Sequence, residues 1–326
     1  MGTIKILSSA DIKQLVTMKE AIEVIERAYR DLSAGTPQMP LRTITDLGEK
    51  ELTLFYKPSF MPSIKTVGIK LLSQYKQTAP SGRATIQGIV ILIDSENNST
   101  RAIIDGTYLT ALRTGAASGA ATRKLARTDA SVMALFGTGA QGYTQFEAVC
   151  AVRDIKKVYL FDLNPEAIQR FLDFYKSATD IELCAGNPEA LKEADIICTV
   201  TNSKRPLFKK EMLKKGVHIN AIGSYNPCMQ ELPEDIFTSA SLIVDHKDSA
   251  FSESGDIIIP QNKGLLDLTH YKGEIGDILT GKTKGRENDE EITVFKSVGI
   301  AIQDLATAQY AFQKACKANI GNDITI

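Results

Sequence analysis

Several residue types that would mark particular classes of protein are scarce in this sequence of 326 residues. It has no tryptophan, and its three histidines, His218, His246 and His270, are not spaced like paired zinc ligands. Its five cysteines form no C-x-x-C pair. We therefore expect free thiols in a reducing compartment, with neither a disulfide framework nor a metal site.

The sequence also lacks long apolar runs and an excess of charge of either sign. The sequence has 38 Lys and Arg against 39 Asp and Glu, a net charge of −1, and no basic block. A nucleic-acid-binding protein would be expected to carry such a block. No apolar run approaches the about 18 residues that span a bilayer, and the first residues lack the pattern of a secretion signal. We expect a cytoplasmic protein with no nucleic-acid or membrane partner.

The first third of the chain combines one clear helix with a sheet. The length of the whole chain predicts two domains at roughly 150 residues each. The 43% of its residues that are hydrophobic suffice for two cores. Thr17 to Glu20 form a capping box that begins a helix, which ends near Gly35 and Pro37. Short β-rich runs follow at 52–55, 67–72 and 89–93. An alanine-rich stretch at 108–125 predicts a second helix.

From residue 129 onwards, apolar strands alternate with helices. We predict strands at 131–136, 157–161, 181–184, 195–199, 218–222 and 242–244, and helix-like stretches at 141–152, 165–177 and 189–193. This alternation is typical of a parallel, doubly wound Rossmann sheet, so the predicted fold class is α/β. The acidic run at 289–291 resembles a helix start. The helix predicted at 297–318 can return to the first domain, which would make that domain discontinuous.

A glycine-rich loop follows the first of these strands. The residues Gly137, Thr138, Gly139, Ala140, Gln141 and Gly142 form G-x-G-x-x-G between a strand and a helix. In that context the glycines allow a tight turn, close approach of a pyrophosphate and close helix packing, and the helix N-terminus favours the anion. Asp162, at the end of the next strand, can bind the adenosine ribose hydroxyls and repel a 2′-phosphate. The sequence thus predicts NAD(H) as the preferred cofactor, with NADP(H) possible.

At this point the chain resembles the ornithine cyclodeaminase/μ-crystallin family from end to end. The resemblance is carried by G-I-K at 68–70, A-L-R-T-G-A at 111–116, the Gly137 loop, N-A-I-G at 220–223, G-R-E at 285–287, D-E-E-I-T at 289–293, S-V-G at 297–299 and Q-D at 303–304. It implies a homodimer with a dimerisation and substrate-binding domain, 1–124 with 299–326. The NAD(P)-binding Rossmann domain would be 125–298.

The resemblance also implies a site for an α-amino or α-imino acid. Arg42, Lys70 and Arg113 would grip the substrate carboxylate, since Arg pairs bidentately and Lys adds a point charge. Lys70, Arg113 and Tyr225 would be the catalytic residues. Further cofactor contacts carried over from the family are Thr85, Thr114, Thr201, Asn220, Ala221, Ile222, Gly223, Ser297 and Val298.

The sequence departs from the cyclodeaminase pattern at Tyr225. Family cyclodeaminases carry an Asp there as acid/base, and a phenol with a pKa near ~10 cannot replace a carboxylate base. The G-S-Y-N-P-C-M-Q-E-L segment at 223–232 is closer to that of the cyclic-imine reductases. We therefore expect NAD(P)H-dependent reduction of a Δ1-pyrroline-2-carboxylate-type imine to an L-amino acid such as proline. Alanine dehydrogenase, ornithine cyclodeaminase and a non-catalytic μ-crystallin-like binding protein stay as alternatives.

Overall fold

The computed structural model describes residues 2–48, 51–75 and 86–325. They form two compact units. The split unit takes the residues up to Arg113 together with those from Ile300 onward, and the α/β unit takes Thr114–Gly299. The functional division predicted above, 1–124 with 299–326 against 125–298, stays a prediction. Within the described ranges, no helix has the length and apolar character needed to cross a membrane.

The elements are numbered in chain order. The strands are β1 Thr3–Leu7, β2 Thr43–Asp46, β3 Leu52–Met61, β4 Thr66–Tyr75, β5 Ile86–Asp94, β6 Thr100–Asp105, β7 Val132–Phe136, β8 Lys157–Phe161, β9 Glu182–Ala185, β10 Ile196–Thr199, β11 His218–Ala221, β12 Ser241–Val244, β13 Tyr271–Glu274, β14 Thr293–Lys296 and β15 Asn322–Thr325. The α-helices are α1 Ser9–Leu15, α2 Met18–Ser33, α3 Gly106–Leu125, α4 Ala140–Cys150, α5 Pro165–Tyr175, α6 Lys247–Glu253, α7 Gly255–Asn262, α8 Ile275–Thr280 and α9 Ala301–Ala318. Short 3₁₀ helices span Pro62–Ile64, Pro188–Lys192, Lys210–Met212, Glu234–Thr238 and Leu268–His270.

The split unit is built on a seven-stranded sheet with the order β15-β1-β6-β5-β4-β3-β2. β1 pairs in parallel with β6, and the other neighbours are antiparallel. Buried residues alternate along β3 at Phe55, Lys57, Ser59 and Met61. Ser59 donates to the Ala301 carbonyl, so this buried face lies under α9. One face of the sheet is therefore covered by the returning C-terminal helix.

The helix predicted from the capping box at Thr17 is confirmed as α2. The Thr17 hydroxyl accepts from the Glu20 amide at 3.3 Å, and the Glu20 carboxylate accepts from the Thr17 amide at 2.9 Å. These two bonds satisfy amides that the first helical turn leaves without partners. The buried stripe of Ile22, Ile25 and Tyr29 follows at helical spacing, and α2 packs against α9.

The α/β unit contains an eight-stranded sheet with the order β13-β12-β14-β11-β10-β7-β8-β9, in which all pairs are parallel. Met133 and Leu135 of β7 lie in one apolar core, while Ala134 and Phe136 lie in the other. Both faces of the strand are buried, which explains its continuous apolar sequence. The chain order reverses between β7 and β10, and such sheets bind ligands at the strand carboxyl ends beside that point.

The predicted parallel α/β fold is confirmed, and β7 to β12 lie at the predicted strands with small shifts of their ends. The helix-like stretch predicted at 189–193 is a 3₁₀ helix, Pro188–Lys192. Two expectations were wrong. The acidic run at 289–291 does not begin a helix but leads into β14, which pairs between β11 and β12. The last helix begins only at Ala301, because Ser297 to Gly299 form a loop bound to Asp245.

Candidate functional site

The glycine-rich loop joins β7 to α4 as the sequence predicts. Gly137 has a φ of +97°, and a Cβ there would lie 2.8 Å from the Val200 carbonyl oxygen. A Cβ on Gly142 would lie 2.4 Å from the Gly137 carbonyl oxygen, so this residue packs the helix onto the loop. Gly139 is the N-cap of α4 and has open space where a Cβ would stand. The loop thus leaves room for an anion beside the first amides of α4, at Ala140 and Gln141.

Asp162 lies beside this loop at the end of β8. One of its carboxylate oxygens accepts from the Thr138 amide at 2.9 Å and from the Thr138 hydroxyl at 3.0 Å. The other accepts from the Asn164 amide at 2.9 Å. The side chain is half-buried, so the carboxylate is fixed in direction and still reaches the surface. This is the position at which a carboxylate can accept bonds from ribose hydroxyls.

Two of the predicted residues follow the ends of β10 and β11. The amides of Thr201 and Gly223 both donate to the Glu231 carboxylate, at 2.6 and 2.7 Å. Asn220 is placed differently: its side-chain amide donates to the Thr122 hydroxyl at 2.9 Å and is fully buried. That side chain is therefore engaged within the unit. Ala221 and Ile222 are buried at the same strand end.

The loop after β14 is held by a buried carboxylate. Asp245 accepts from the Ser297 hydroxyl at 2.7 Å and from the Val298 and Gly299 amides at 3.0 and 2.9 Å. These bonds satisfy backbone donors that a buried loop would otherwise leave without partners. Ser297 and Val298 are accordingly fixed at the carboxyl end of β14, next to the end of β11.

In the split unit, Lys70 and Arg113 meet on one carboxylate. Asp304 Oδ1 accepts from Lys70 Nζ at 2.7 Å and from Arg113 Nε at 2.9 Å, and all three side chains are buried. Arg113 also donates to Gln303 Oε1 at 2.7 Å, and Lys70 to the Thr110 hydroxyl at 3.1 Å. Asp304 Oδ2 has no hydrogen-bond partner among the described residues. The two predicted cations are thus brought together and oriented.

Lys57 adds a further buried cation, directly opposite Lys70 in the β3–β4 register. Residues paired in this way have Cβ atoms about 5 Å apart, where like charges repel. Burial, followed by repulsion from Lys70, Arg42 and Arg113, lowers the pKa of Lys57 well below its usual value. Arg42 is half-buried and lies over the Phe55 ring at 5.2 Å. We call Arg42, Lys57, Lys70, Arg113 and Asp304 the cation cluster.

Electrostatics in the cation cluster favour the arrival of an anion. Burial lowers the pKa of Lys70 to about 8; Asp304 opposes this shift and Arg113 adds to it. Burial alone would raise the pKa of Asp304, but Arg113 and Lys70 hold it below its usual value. Lys57, Lys70 and the charged groups that shift their pKa values comprise four cationic side chains and one carboxylate, Asp304. A second carboxylate would therefore be stabilised there.

The remaining predicted residues are spread over both units. Thr114 is buried on α3, and Tyr225 is half-buried in the segment after β11. Thr85 lies outside the described residues. No group of three His, Cys, Asp or Glu side chains within 2–48, 51–75 or 86–325 is arranged to hold a metal ion.

Several residues of these sites did not emerge from the sequence as candidates. Lys57 could have been found, because it occupies an inward position of an alternating strand. Asp304 was visible only as part of the Q-D motif, and Glu231 only as part of M-Q-E-L. Asp245 gave no signal, since its role depends on amides that come more than fifty residues later.

Comparisons with known proteins agree over the whole chain. The model of the Ornithine cyclodeaminase/mu-crystallin family matches residues 3–319. The chain is 39% identical over 322 residues to Delta(1)-pyrroline-2-carboxylate reductase of Bacillus cereus, covering 98% of this chain and 99% of that protein.

Two solved structures are also similar. One is Thermococcus litoralis Delta(1)-pyrroline-2-carboxylate reductase in complex with NADH and L-proline, with a TM-score of 0.94, 36% identity and coverage of 98% of this chain and 100% of that chain. The other is an archaeal alanine dehydrogenase dimer with bound NAD, with a TM-score of 0.93, 33% identity and 100% coverage of both chains.

Proposed function

This chain belongs to the ornithine cyclodeaminase/mu-crystallin family, and we propose that it reduces a cyclic α-imino acid of the Δ1-pyrroline-2-carboxylate type with NADH. The product is an L-amino acid such as proline. The observation that carries this proposal is the meeting of Lys70 and Arg113 on Asp304 in a buried cluster with an excess of positive charge. A relative at 36% identity binds NADH and L-proline.

NAD(H) is the cofactor that the α/β unit fits best. The Gly137 loop and the first amides of α4 would hold the pyrophosphate. Asp162, fixed by Thr138, would accept from the ribose hydroxyls and repel the 2′-phosphate of NADP(H). Thr201, Gly223, Ser297 and Val298 follow adjacent strand ends, where the nicotinamide end would lie. We expect Asp162→Ser to narrow the preference for NADH over NADPH about tenfold, as measured by kcat/KM.

The cation cluster would bind the substrate carboxylate. Arg113 offers a planar fork that is already oriented by Asp304 and Gln303, and Lys70 adds a charge held by the same Asp304 oxygen. Arg42 and Lys57 raise the positive potential around them. Fixing the carboxylate fixes the adjacent imine carbon, so that hydride transfer becomes almost unimolecular.

The reaction needs one hydride and one proton. NADH supplies the hydride to the imine carbon, the C=N bond becomes a C–N single bond, and the nitrogen ends with the proton of the iminium form. The side chains of this chain bind and orient the substrate. Lys70 at its lowered pKa and the Tyr225 hydroxyl are the groups we propose for holding or supplying that proton.

The alternatives differ in what they ask of the chain. Ornithine cyclodeamination would need an acid/base carboxylate where this sequence has Tyr225. Alanine dehydrogenase activity would need ammonia to react with pyruvate in the site, and a relative of that activity is 33% identical. A non-catalytic binding protein would use the same cations to hold a carboxylate ligand, and it would bind NADH without turnover.

A second copy of the chain is the partner we propose. The face of the split unit's sheet opposite α9 carries Leu54, Tyr56, Leu71 and Ile89, which line a cavity of about 670 Å³. Ile89 is 39% exposed. Partly exposed apolar side chains grouped on one sheet face are typical of an interaction surface, and the archaeal relative is a dimer. Ile89→Glu should convert a dimer to a monomer in light scattering, while unchanged mass would contradict this assignment.

The five cysteines are free thiols, of which Cys228 and Cys316 are exposed. Exposed thiols persist in a reducing compartment. They support the cytoplasm as the proposed location.

The test is a panel of substrates with the purified protein. NADH consumption should be fastest with Δ1-pyrroline-2-carboxylate or its six-membered homologue, and L-proline should appear with the former. Pyruvate with ammonia should be much slower, and ornithine with NAD should yield neither proline nor ammonia. NADH binding without turnover would favour a binding protein, and robust ornithine deamination would overturn the proposal.

A further inference from the structure

Glu231 is a buried carboxylate of the α/β unit that binds to two neighbouring strand ends. It is fully buried and accepts four hydrogen bonds: from the Thr201 amide at 2.6 Å and hydroxyl at 2.8 Å, from the Thr199 hydroxyl at 2.8 Å and from the Gly223 amide at 2.7 Å. Two of these donors follow β10 and one follows β11. One side chain therefore fixes the ends of two adjacent parallel strands.

The backbone is shaped around this carboxylate. A Cβ on Gly223 would lie 2.4 Å from Glu231 Oε1 and 2.3 Å from the Thr201 carbonyl oxygen. Any side chain at residue 223 would therefore displace either the carboxylate or the loop after β10. The glycine of the N-A-I-G motif is required here by Glu231.

Glu231 is itself held by a second buried pair. Asp256 Oδ1 accepts from the Glu231 amide at 2.7 Å and from the Leu232 amide at 3.0 Å. Asp256 Oδ2 pairs with Lys296 Nζ at 3.1 Å, and both side chains are fully buried. Lys296 is the last residue of β14, immediately before Ser297. The network thus reaches a third strand end, next to β11 in the sheet.

These three strand ends carry Thr201, Gly223 and Ser297, which we assigned to the nicotinamide end of the cofactor. We propose that Glu231 is a positioning residue that sets the geometry of this nicotinamide-binding edge, with Asp256 and Lys296 fixing its own position. The proposal rests on the proposed function, because it takes NAD(H) as the ligand. The adenosine and pyrophosphate contacts, at Asp162 and the Gly137 loop, do not bond to Glu231.

If Glu231 positions the nicotinamide-binding edge, its replacement should weaken binding of the nicotinamide end of the cofactor and spare the adenosine end. In Glu231→Gln, the amide NH₂ would face one of the backbone or hydroxyl donors, which leaves buried donors without an acceptor. We expect the Kd for NADH to rise about tenfold or more. The Kd for ADP-ribose, which lacks the nicotinamide, should stay within about threefold of the wild-type value. In turnover, kcat should fall, because misplacement of the reacting ring is costly.

Binding of both ligands is measured by calorimetry for wild type, Glu231→Gln and a control, Glu234→Gln. Glu234 is a surface acid of the same unit, paired with Lys263 at 2.8 Å, and its variant should bind both ligands normally. Equal losses for NADH and ADP-ribose in Glu231→Gln, or no loss, would overturn the proposal. Wild-type protein that bound neither ligand would contradict the proposed cofactor itself.

A second variant keeps the test valid if Glu231→Gln does not fold. Thr199→Val removes one buried donor to Glu231 with little change of shape, and Thr199 is not among the residues assigned to the cofactor. It should weaken NADH about threefold and leave ADP-ribose unchanged. If Thr199→Val folds and affects both ligands alike, Glu231 has only a structural role.

Discussion

The two units place buried charge in opposite arrangements. In the α/β unit, Glu231 and Asp245 each accept several hydrogen bonds from backbone amides and hydroxyl groups. In the split unit, Lys57 and Lys70 lie opposite each other with like charge, and Asp304 Oδ2 has no hydrogen-bond partner among the described residues. The α/β unit surrounds two buried carboxylates with hydrogen-bond donors, whereas the split unit places two buried lysines opposite each other.

This difference separates carboxylates that hold a binding edge in place from a cluster of cations that itself attracts an anion. A carboxylate that accepts several amide bonds fixes loops and leaves nothing for a ligand to satisfy. Burying several cations together costs free energy. Binding of an anion offsets this cost, so the cluster favours an anionic ligand. The contrast predicts that loss of a hydrogen-bonded carboxylate in the α/β unit lowers stability, whereas loss of a cation in the split unit lowers activity with the substrate.

The largest effect should come from Arg113→Ala. This change removes the oriented guanidinium of the cation cluster, so transition-state stabilisation should fall by about 2–4 kcal/mol, measured as kcat/KM for the imine. The Kd for NADH should change far less, because the Gly137 loop is untouched. Lys65→Ala, at a surface pair with Glu96 in the same unit, is the control. A near-normal kcat/KM in Arg113→Ala would remove this residue from the site.

Asp245→Ala should lower stability. It removes the acceptor of the Ser297 hydroxyl and the Val298 amide, and one of two acceptors of the Gly299 amide, so the free energy of unfolding should fall by about 1–3 kcal/mol in urea titrations. Alanine at Asp248, an exposed acid of α6, should be neutral. If Asp245→Ala kept full stability, the satisfied carboxylates would not be the scaffold that we describe.

The pH dependence of activity should report Lys70. Its pKa is lowered to about 8, and the protonated form is the one that binds a carboxylate. In the free protein, kcat/KM should therefore be level below about pH 8 and fall about tenfold per pH unit above it. Lys70→Arg should lose this alkaline limb, because Arg stays charged. If Lys70→Arg kept the alkaline limb, the limb would belong to a group other than Lys70. The imine itself titrates identically with wild type and variant, so it cannot cause a difference between them.

Lys57→Met should give the smallest effect. It should raise the stability of the free protein and lower its affinity for the substrate. Removing a buried cation that opposes Lys70 should stabilise the free protein by about 1 kcal/mol. Affinity for the substrate carboxylate should nevertheless fall, because the positive potential is reduced. Thermal unfolding and KM for the imine measure the two. A variant that lost stability, or that kept full affinity for the substrate, would contradict the role that we assign to Lys57.

Sequence alone predicts what local patterns encode. The capping box at Thr17, the loop at Gly137 and the apolar strand β8 all depend on neighbours within a few residues, and all three were predicted correctly. β14 was missed because it directly follows an acidic run that was interpreted as a helix start, and its place between β11 and β12 is set by distant strands.

The candidate site likewise contains residues that motifs identify and residues whose importance depends on long-range pairing. Lys70 and Arg113 were found through motifs. Their meeting on Asp304 joins residues 191 and 234 positions apart, which no spacing rule predicts. Lys57 becomes significant only through its register with Lys70, and Glu231 through amides brought to it by the sheet. In physical terms, the missing information is long-range pairing and the burial of charge that follows from it.

The most direct test of the central claim is the fate of the hydride. NADH carrying deuterium at both C4 positions of the nicotinamide is incubated with the protein and Δ1-pyrroline-2-carboxylate, and the product is analysed by mass spectrometry and NMR. We predict L-proline with one deuterium at the α-carbon, formed in step with NADH consumption. Proline without deuterium, or no proline while NADH binds normally, would contradict the assignment of this chain as an imine reductase.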